Sequence, residues 1–175
     1  SHHLHLGASV SSNGSFTERD IAAATRVITE FMANAKAHNC QRVVAVATES
    51  FRLAANGVAV ASHIEREAGC QIKILLPEEE NTLTWQAVAN HFPNTDHLTT
   101  IALSGGSLGI SSGNLGGKTP THNFSYPLGA GVLAPRASKD GYIETSTRIR
   151  LEHHIAESLK PAATAINQSG DSSFV

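Results

Sequence analysis

Apolar positions in the first hundred residues recur at helical spacing, then in short unbroken runs, then at helical spacing again. Ile21, Ala24, Ile28, Phe31 and Ala35 keep the three-or-four-residue step of an amphipathic helix, and Thr17-x-x-Asp20 forms the capping box that starts it; the segment ends near Asn39. The run 42–48, RVVAVAT, is β-branched and uncharged after Arg42, which predicts a strand covered on both faces. A second helix is predicted from Asn56 as N-cap, with Val60, Ile64 and Ala68 on one face and Gly69 past its last turn. The run 71-QIKILL-76 predicts another buried strand, which leads into a third helix at Pro77. Helix–strand–helix–strand order predicts a parallel α/β sheet.

Past about residue 97 the pattern changes. LTTIALSGG, LGISSGN and THNFSYPLG read as a meander of antiparallel strands. A last helix is predicted from about Ser146 through Ile149, Ala156, Leu159 and Ala163 to Ile166, with Pro161 bending or dividing it, and the final SSFV reads as a strand cut off in mid-course. The change places a boundary near residues 92–98, so that two related α/β parts, 1–97 and 98–175, are expected with a ligand-binding cleft between them.

Composition narrows the partner. The chain has 175 residues, enough for one good core or two small ones. With 41% apolar residues, a formal charge of −2 and no basic run, it offers neither a nucleic-acid surface nor a membrane-binding stripe, and a small ligand is expected. No apolar run approaches the roughly 20 residues of a membrane span, and SHHLHLG lacks the features of a signal peptide, so a cytoplasmic protein is expected. Cys40 and Cys70 sit in similar settings, AHNCQRVVAV and EAGCQIKILL, which neighbouring parallel strands would bring to one sheet end; they read as reduced, part-buried thiols.

Three stretches carry candidate chemistry. In 101-IALSGGSLGISSGNLGG-117, which has no charged side chain, a glycine loop after a strand lets backbone N–H groups approach an anion, while the same text would also serve simply to turn a hairpin. In 77-PEEENTL-83, Glu78, Glu79 and Glu80 follow a proline at the first helical position, where the helix dipole favours negative charge; alternatively, one of them removes a proton from an attacking water. In 47-ATESFR-52, at the carboxyl end of the first buried strand, the planar fork of Arg52 and the hydroxyls of Thr48 and Ser50 suit phosphate oxygens, against the plainer reading of a strand-to-helix turn with a surface arginine. The histidines are set aside: His2, His3 and His5 are near-terminal, and H-x-H on a strand would place two imidazoles on one face but without carboxylate or cysteine partners at ligand spacing, and His153 and His154 lie about 100° apart on a helix. No metal ligands are assigned. Trp85 is expected to pack between layers.

The segments LHLGASVSSNGSFTERDI, RVVAVATESFRLAANG, ILLPEEENTLTWQAV, IALSGGS and YPLGAGVL, in this order over most of residues 4–166, make the chain resemble the exopolyphosphatase/guanosine-pentaphosphatase family, a branch of the sugar-kinase, Hsp70 and actin superfamily. The resemblance implies an actin-like (ribonuclease H-like) α/β fold with parts of two domains and a cleft between them. It implies that Thr48 and Arg52, with Ser50 between them, belong to a phosphate-binding A-T-x-x-x-R motif. The family's E-E-A-R-L segment, whose second glutamate is the general base, falls on Glu79-Glu80-Asn81-Thr82-Leu83, which makes Glu80 the implied base. The family's D-I-G-G-G-S-T-E loop falls on residues 102–109, so Ser104, Gly105, Gly106 and Ser107 would hold phosphate.

Two positions depart from that pattern. Ala102 stands where the family has an aspartate that supports magnesium, and Gly109 where it has a glutamate. The family's first phosphate loop, D-x-G-S-N-S, and its G-T-G-G-T segment are not in these residues, so an internal portion of a longer protein is expected. The implied cofactor is Mg2+, the implied ligand polyphosphate or guanosine penta- or tetraphosphate, and a homodimer is a further expectation. Three readings follow: a phosphoanhydride hydrolase with Glu80 as base, a catalytically impaired relative that binds or senses such anions, and a purely structural use of these turns. The first two require the turns at 48–52, 80 and 104–107 to meet at one anion pocket.

Overall fold

A computed structural model of the chain describes residues 2, 4–137 and 142–168. The chain forms two compact units, Ser1–Leu76 and Pro77–Val175.

The first unit contains α1 (Leu6–Asn13), α2 (Glu18–Ala37), β1 (Ala45–Ala47), α3 (Glu49–Leu53), α4 (Gly57–Ala68) and β2 (Ile72–Ile74). Helix α2 starts at the predicted capping box: Thr17 N–H donates to Asp20 Oδ2 at 2.9 Å, and Asp20 N–H to Thr17 Oγ1 at 3.3 Å. The Thr17 hydroxyl, and after it the Thr17 amide, hold the Asp20 carboxyl below its usual range. Helix α4 ends at Gly69, whose φ of 66° is the left-handed turn that glycine adopts without a Cβ penalty. Asn56 stands at the N-cap of α4, yet its side chain caps nothing; it clasps the backbone of Phe16, accepting from N–H and donating to C=O, each at 2.9 Å. That clasp brings the entries of α2 and α4 together over a core of Val10, Phe16, Ala24, Ala54, Val60 and Ile64.

Strands β1 and β2 pair in parallel, Ala45 opposite Ile72 and Ala47 opposite Ile74, as the element order predicted. Each has three residues, less than the runs 42–48 and 71–76 suggested. Burial also differs from expectation: Ala47 is buried, while Val44 and Val46 are 66% and 50% exposed, so the period-two alternation of a strand is realised with one face open. Both cysteines are free thiols, Cys40 exposed and Cys70 half-buried, and burial, then the Glu65 charge, push the Cys70 thiol up. The early residues form α1 rather than a strand presenting imidazoles. His5 precedes that helix in the left-handed region (φ 52°), His2 is exposed 3.8 Å from Glu30, and His3 lies outside the described residues.

The second unit contains α5 (Pro77–Ala89), β3 (His97–Leu103), β4 (Leu108–Asn114), β5 (His122–Tyr126), α6 (Ala130–Ala137) and α7 (Thr145–Gln168). The three strands form the predicted antiparallel meander in the order β3-β4-β5. Its register sets Ala102 opposite Gly109 and Ile101 opposite Ile110, with Ile110 opposite Phe124. Helix α5 packs on this sheet through Trp85, which is 1% exposed and donates from Nε1 to Leu98 O at 3.0 Å, the interlayer role expected of it. Helix α7 runs through Pro161 as one helix, undivided, with His153 and His154 exposed. Helix α6 has no counterpart in the sequence pattern. The expected strand at SSFV lies outside the described residues.

Candidate functional site

The glycine stretch does turn a hairpin. Ser104–Ser107 joins β3 to β4 and is closed by Ser104 N–H donating to Ser107 O at 2.9 Å and Ser107 N–H donating to Ser104 Oγ at 3.0 Å. The Ser104 hydroxyl lies 3.0 Å from Ser107 O and 3.2 Å from Ser107 Oγ, and Ser107 is buried, so both hydroxyls serve the turn itself.

The outer side of the turn is organised by residues 129–131, within the segment YPLGAGVL. Gly129, Ala130 and Gly131 donate their amides to Gly106 O (3.1 Å), Ser104 O (3.0 Å) and Gly105 O (2.6 Å). The N-terminus of α6 thereby holds three consecutive carbonyls. Such an approach needs glycine, because a Cβ on Gly129 would stand 2.5 Å from both Gly105 O and Gly106 N. The amides of Gly105 and Gly106 take no hydrogen bond among the described residues, and a Cβ on Gly105 would meet nothing within 4 Å. The crest therefore presents the exposed Gly105 N–H beside carbonyls that are already engaged, with the Gly106 N–H, half-buried against Gly129, likewise without an acceptor among the described residues, an arrangement that suits an oxyanion.

Glu80 is half-buried in the first turn of α5, and its carbonyl accepts from Thr84 Oγ1 at 3.0 Å. Its neighbour Asn81, 8% exposed, ties that turn to the sheet by donating from Nδ2 to Asn123 Oδ1 at 2.9 Å and Phe124 O at 2.7 Å. Asn123 reciprocates, donating to Glu78 O at 3.0 Å and Thr82 Oγ1 at 3.2 Å. The Asn81 carboxamide also lies against Gly109, two residues beyond the glycine turn: a Cβ there would stand 2.8 Å from Asn81 Cγ and nearer still to Oδ1. The first turn of α5 and the loop end of the β3–β4 hairpin are thus brought together within one unit. No periodicity or cap signalled Asn81, Asn123 or Gly129; the only hint was an unexpected asparagine beside three glutamates and a G-A-G triplet.

Thr48, Ser50 and Arg52 belong to the first unit. Thr48 is the residue before α3, and its carbonyl accepts from Phe51 N–H and Arg52 N–H. Arg52 is half-buried and donates from Nη1 to Leu75 O at 2.6 Å, so it braces the end of β2 against the end of β1. Ser50 Oγ lies where a Cβ on Gly7 would be 3.3 Å away. The three residues share one short stretch following the carboxyl end of β1.

A profile of the Ppx/GppA phosphatase family matches residues 1–175. The chain belongs to that family. Exopolyphosphatase 1 of Mycobacterium tuberculosis is 33% identical over 131 residues, which are 74% of this chain and 38% of that protein; its Mycobacterium leprae counterpart is 31% identical over the same lengths. Among solved structures, the Aquifex aeolicus Ppx/GppA family member superposes with a TM-score of 0.76 at 24% identity, over 91% of this chain and 51% of that one. An exopolyphosphatase from Cytophaga hutchinsonii gives 0.77 at 22% identity, over 90% and 50%. The fold is the actin-like α/β fold of Ppx/GppA proteins. The chain spans 38% of the length of the curated relatives it matches and about half of the solved ones.

Within the Ppx/GppA frame, the two departures fall directly opposite each other, Ala102 against Gly109 in the β3–β4 ladder. The magnesium ion that the resemblance implies would need oxygen ligands, mainly carboxylates. This hairpin offers a methyl group, a hydrogen and the neutral carboxamide of Asn81, and no group of three His, Cys, Asp or Glu gathers among the described residues. The residues present do not fit a metal held by this hairpin. Among the described residues, no helix is long and apolar enough to cross a membrane.

Proposed function

We propose that the protein is a phosphoanhydride hydrolase that releases terminal phosphate from polyphosphate or guanosine pentaphosphate. The observation that carries the reading is the seating of Asn81, next to Glu80, against Gly109 of the glycine hairpin, held there by hydrogen bonds to Asn123 and Phe124 of β5, in a chain of the Ppx/GppA family. The Gly105 and Gly106 amides receive oxygens of the terminal phosphoryl group, where fixed dipoles stabilise charge without reorganising. Glu80 takes a proton from water, the water oxygen bonds to the terminal phosphorus, and the P–O bond to the bridging oxygen breaks, releasing phosphate and a chain one unit shorter. Thr48, Ser50 and Arg52 are proposed phosphate contacts of the first unit, carried by the strand-end motif. Phosphate release by the full-length protein tests this: Glu80→Gln should lower it by about 10²–10⁴-fold while leaving tripolyphosphate binding intact. A Glu80→Gln variant as active as wild type would overturn the reading.

The exchange of two acids for Ala102 and Gly109 favours a second reading, a relative that binds or senses these anions and turns them over slowly. Wild-type protein that binds the chain without releasing phosphate would select it. Guanosine pentaphosphate and long-chain polyphosphate, assayed side by side, separate the two substrates.

A further inference from the structure

We infer that the β3–β4 hairpin takes the phosphate chain on backbone amides alone, with no metal ion held by the protein there, because Asn81 and Gly109 together close the place from which an acid would hold one. The inference rests on the phosphate-binding reading above and specifies its chemistry.

Positions 102 and 109 face each other in the antiparallel ladder, and such pairs have Cβ atoms about 4.5–5.5 Å apart, close enough for two acidic side chains to share a cation. Here neither position has a carboxylate, and the volume above Gly109 is filled by the Asn81 carboxamide. That side chain is not free to swing away. It is 8% exposed, and its Nδ2 is held by Asn123 Oδ1 and Phe124 O, with Asn123 bound in turn to Glu78 O and Thr82 Oγ1. An acid introduced at 109 would have to break this set. The exchange is therefore a matched substitution spread over α5, β4 and β5. Its electrostatic result is direct: two negative charges are absent from the ladder pair below the turn that carries the Gly105 and Gly106 amides, so a polyanion meets donors there without needing a cation to screen the protein.

Titration of the full-length protein with sodium tripolyphosphate, in EDTA and again in excess magnesium chloride, tests the inference. Kd in EDTA is expected to be equal to or tighter than Kd with magnesium, since free magnesium lowers the charge of the chain. Binding at least tenfold weaker in EDTA than in magnesium overturns the inference and leaves the phosphate reading standing. Absence of binding in both overturns the phosphate reading and the inference with it. In a second arm, Asn81→Ala, Ala102→Asp and Gly109→Glu are combined and compared with Gly109→Glu alone. The triple variant should melt above the single one and bind at least tenfold tighter with magnesium than in EDTA. Equal melting of the two variants, or a folded triple variant indifferent to magnesium, would refute the role given to Asn81 and Gly109.

Discussion

Gly129→Ala should loosen the glycine hairpin without touching it in sequence. The new Cβ would stand 2.5 Å from Gly105 O and 2.5 Å from Gly106 N, both backbone atoms, so neither can rotate out of the way. The hairpin must retreat from α6, and the Gly129–Gly106 bond of 3.1 Å goes first, followed by strain on the bonds from Ala130 and Gly131. Overpacking of a tight contact costs about 1–3 kcal/mol, and one lost backbone bond adds about 1 kcal/mol. A total of roughly 2–4 kcal/mol corresponds to a fall in Tm of roughly 4–16 °C for a cooperative unit of 150–250 residues. The control is Gly116→Ala in the turn between β4 and β5, where a Cβ meets nothing within 4 Å and where a change of less than about 0.5 kcal/mol is expected. Thermal melting of the two variants in the full-length protein reads the difference. If Gly129→Ala melts with Gly116→Ala, the α6 amides do not hold the turn and the account of the open crest fails.

Other expectations follow from single contacts. Gly109→Ala should destabilise by about 1–3 kcal/mol in the wild-type background and by much less once Asn81→Ala has cleared the space, a coupling that urea denaturation of the four-member cycle measures. Thr17→Ala should cost about 1 kcal/mol. Because the folded state depresses the Asp20 pKa, the contribution of the box is present above the unfolded carboxylate pKa and is lost as pH falls through the folded one. The melting gap between Thr17→Ala and wild type should therefore narrow at acid pH, leaving the Asp20 N–H to Thr17 Oγ1 bond; a constant gap down to the lowest pH would contradict the pairing. Iodoacetamide should modify exposed Cys40 before Cys70, whose raised pKa keeps it protonated at neutral pH; mass mapping that finds Cys70 first would contradict the burial order.

Where local chemistry decides the element, the sequence is a sufficient guide. The Thr17–Asp20 box, the Gly69 stop, Pro77 at the start of α5 and the strand-and-turn text past residue 97 each act within a few residues, and each appears in place. Helices α1 and α6 escaped because their stability is tertiary. LGASVSSN and AGVLAPRA contain glycines, serines and a proline that oppose helix in isolation. The first is supported by Val10 in the core, and the second begins where Gly129 meets the hairpin. The overestimated coverage of β1 has a similar origin, since a β-branched run reports suitability for a strand and says nothing of what lies above it. In the site, the glycine turn and Glu80 were legible as types of residue. Asn81 and Gly109 were not legible as a pair, because 28 residues separate them and neither spacing nor periodicity links a carboxamide to a missing Cβ.

The grip of α6 on the hairpin also fixes what an arriving anion encounters. With the oxygens of residues 104, 105 and 106 each accepting a donor from 129–131, the turn is held in shape before an anion arrives, and its curvature does not wait for a guest to impose it. Capture at this crest should therefore proceed with little ordering penalty, and discrimination among anions should come from their size and charge rather than from closure of the loop around them.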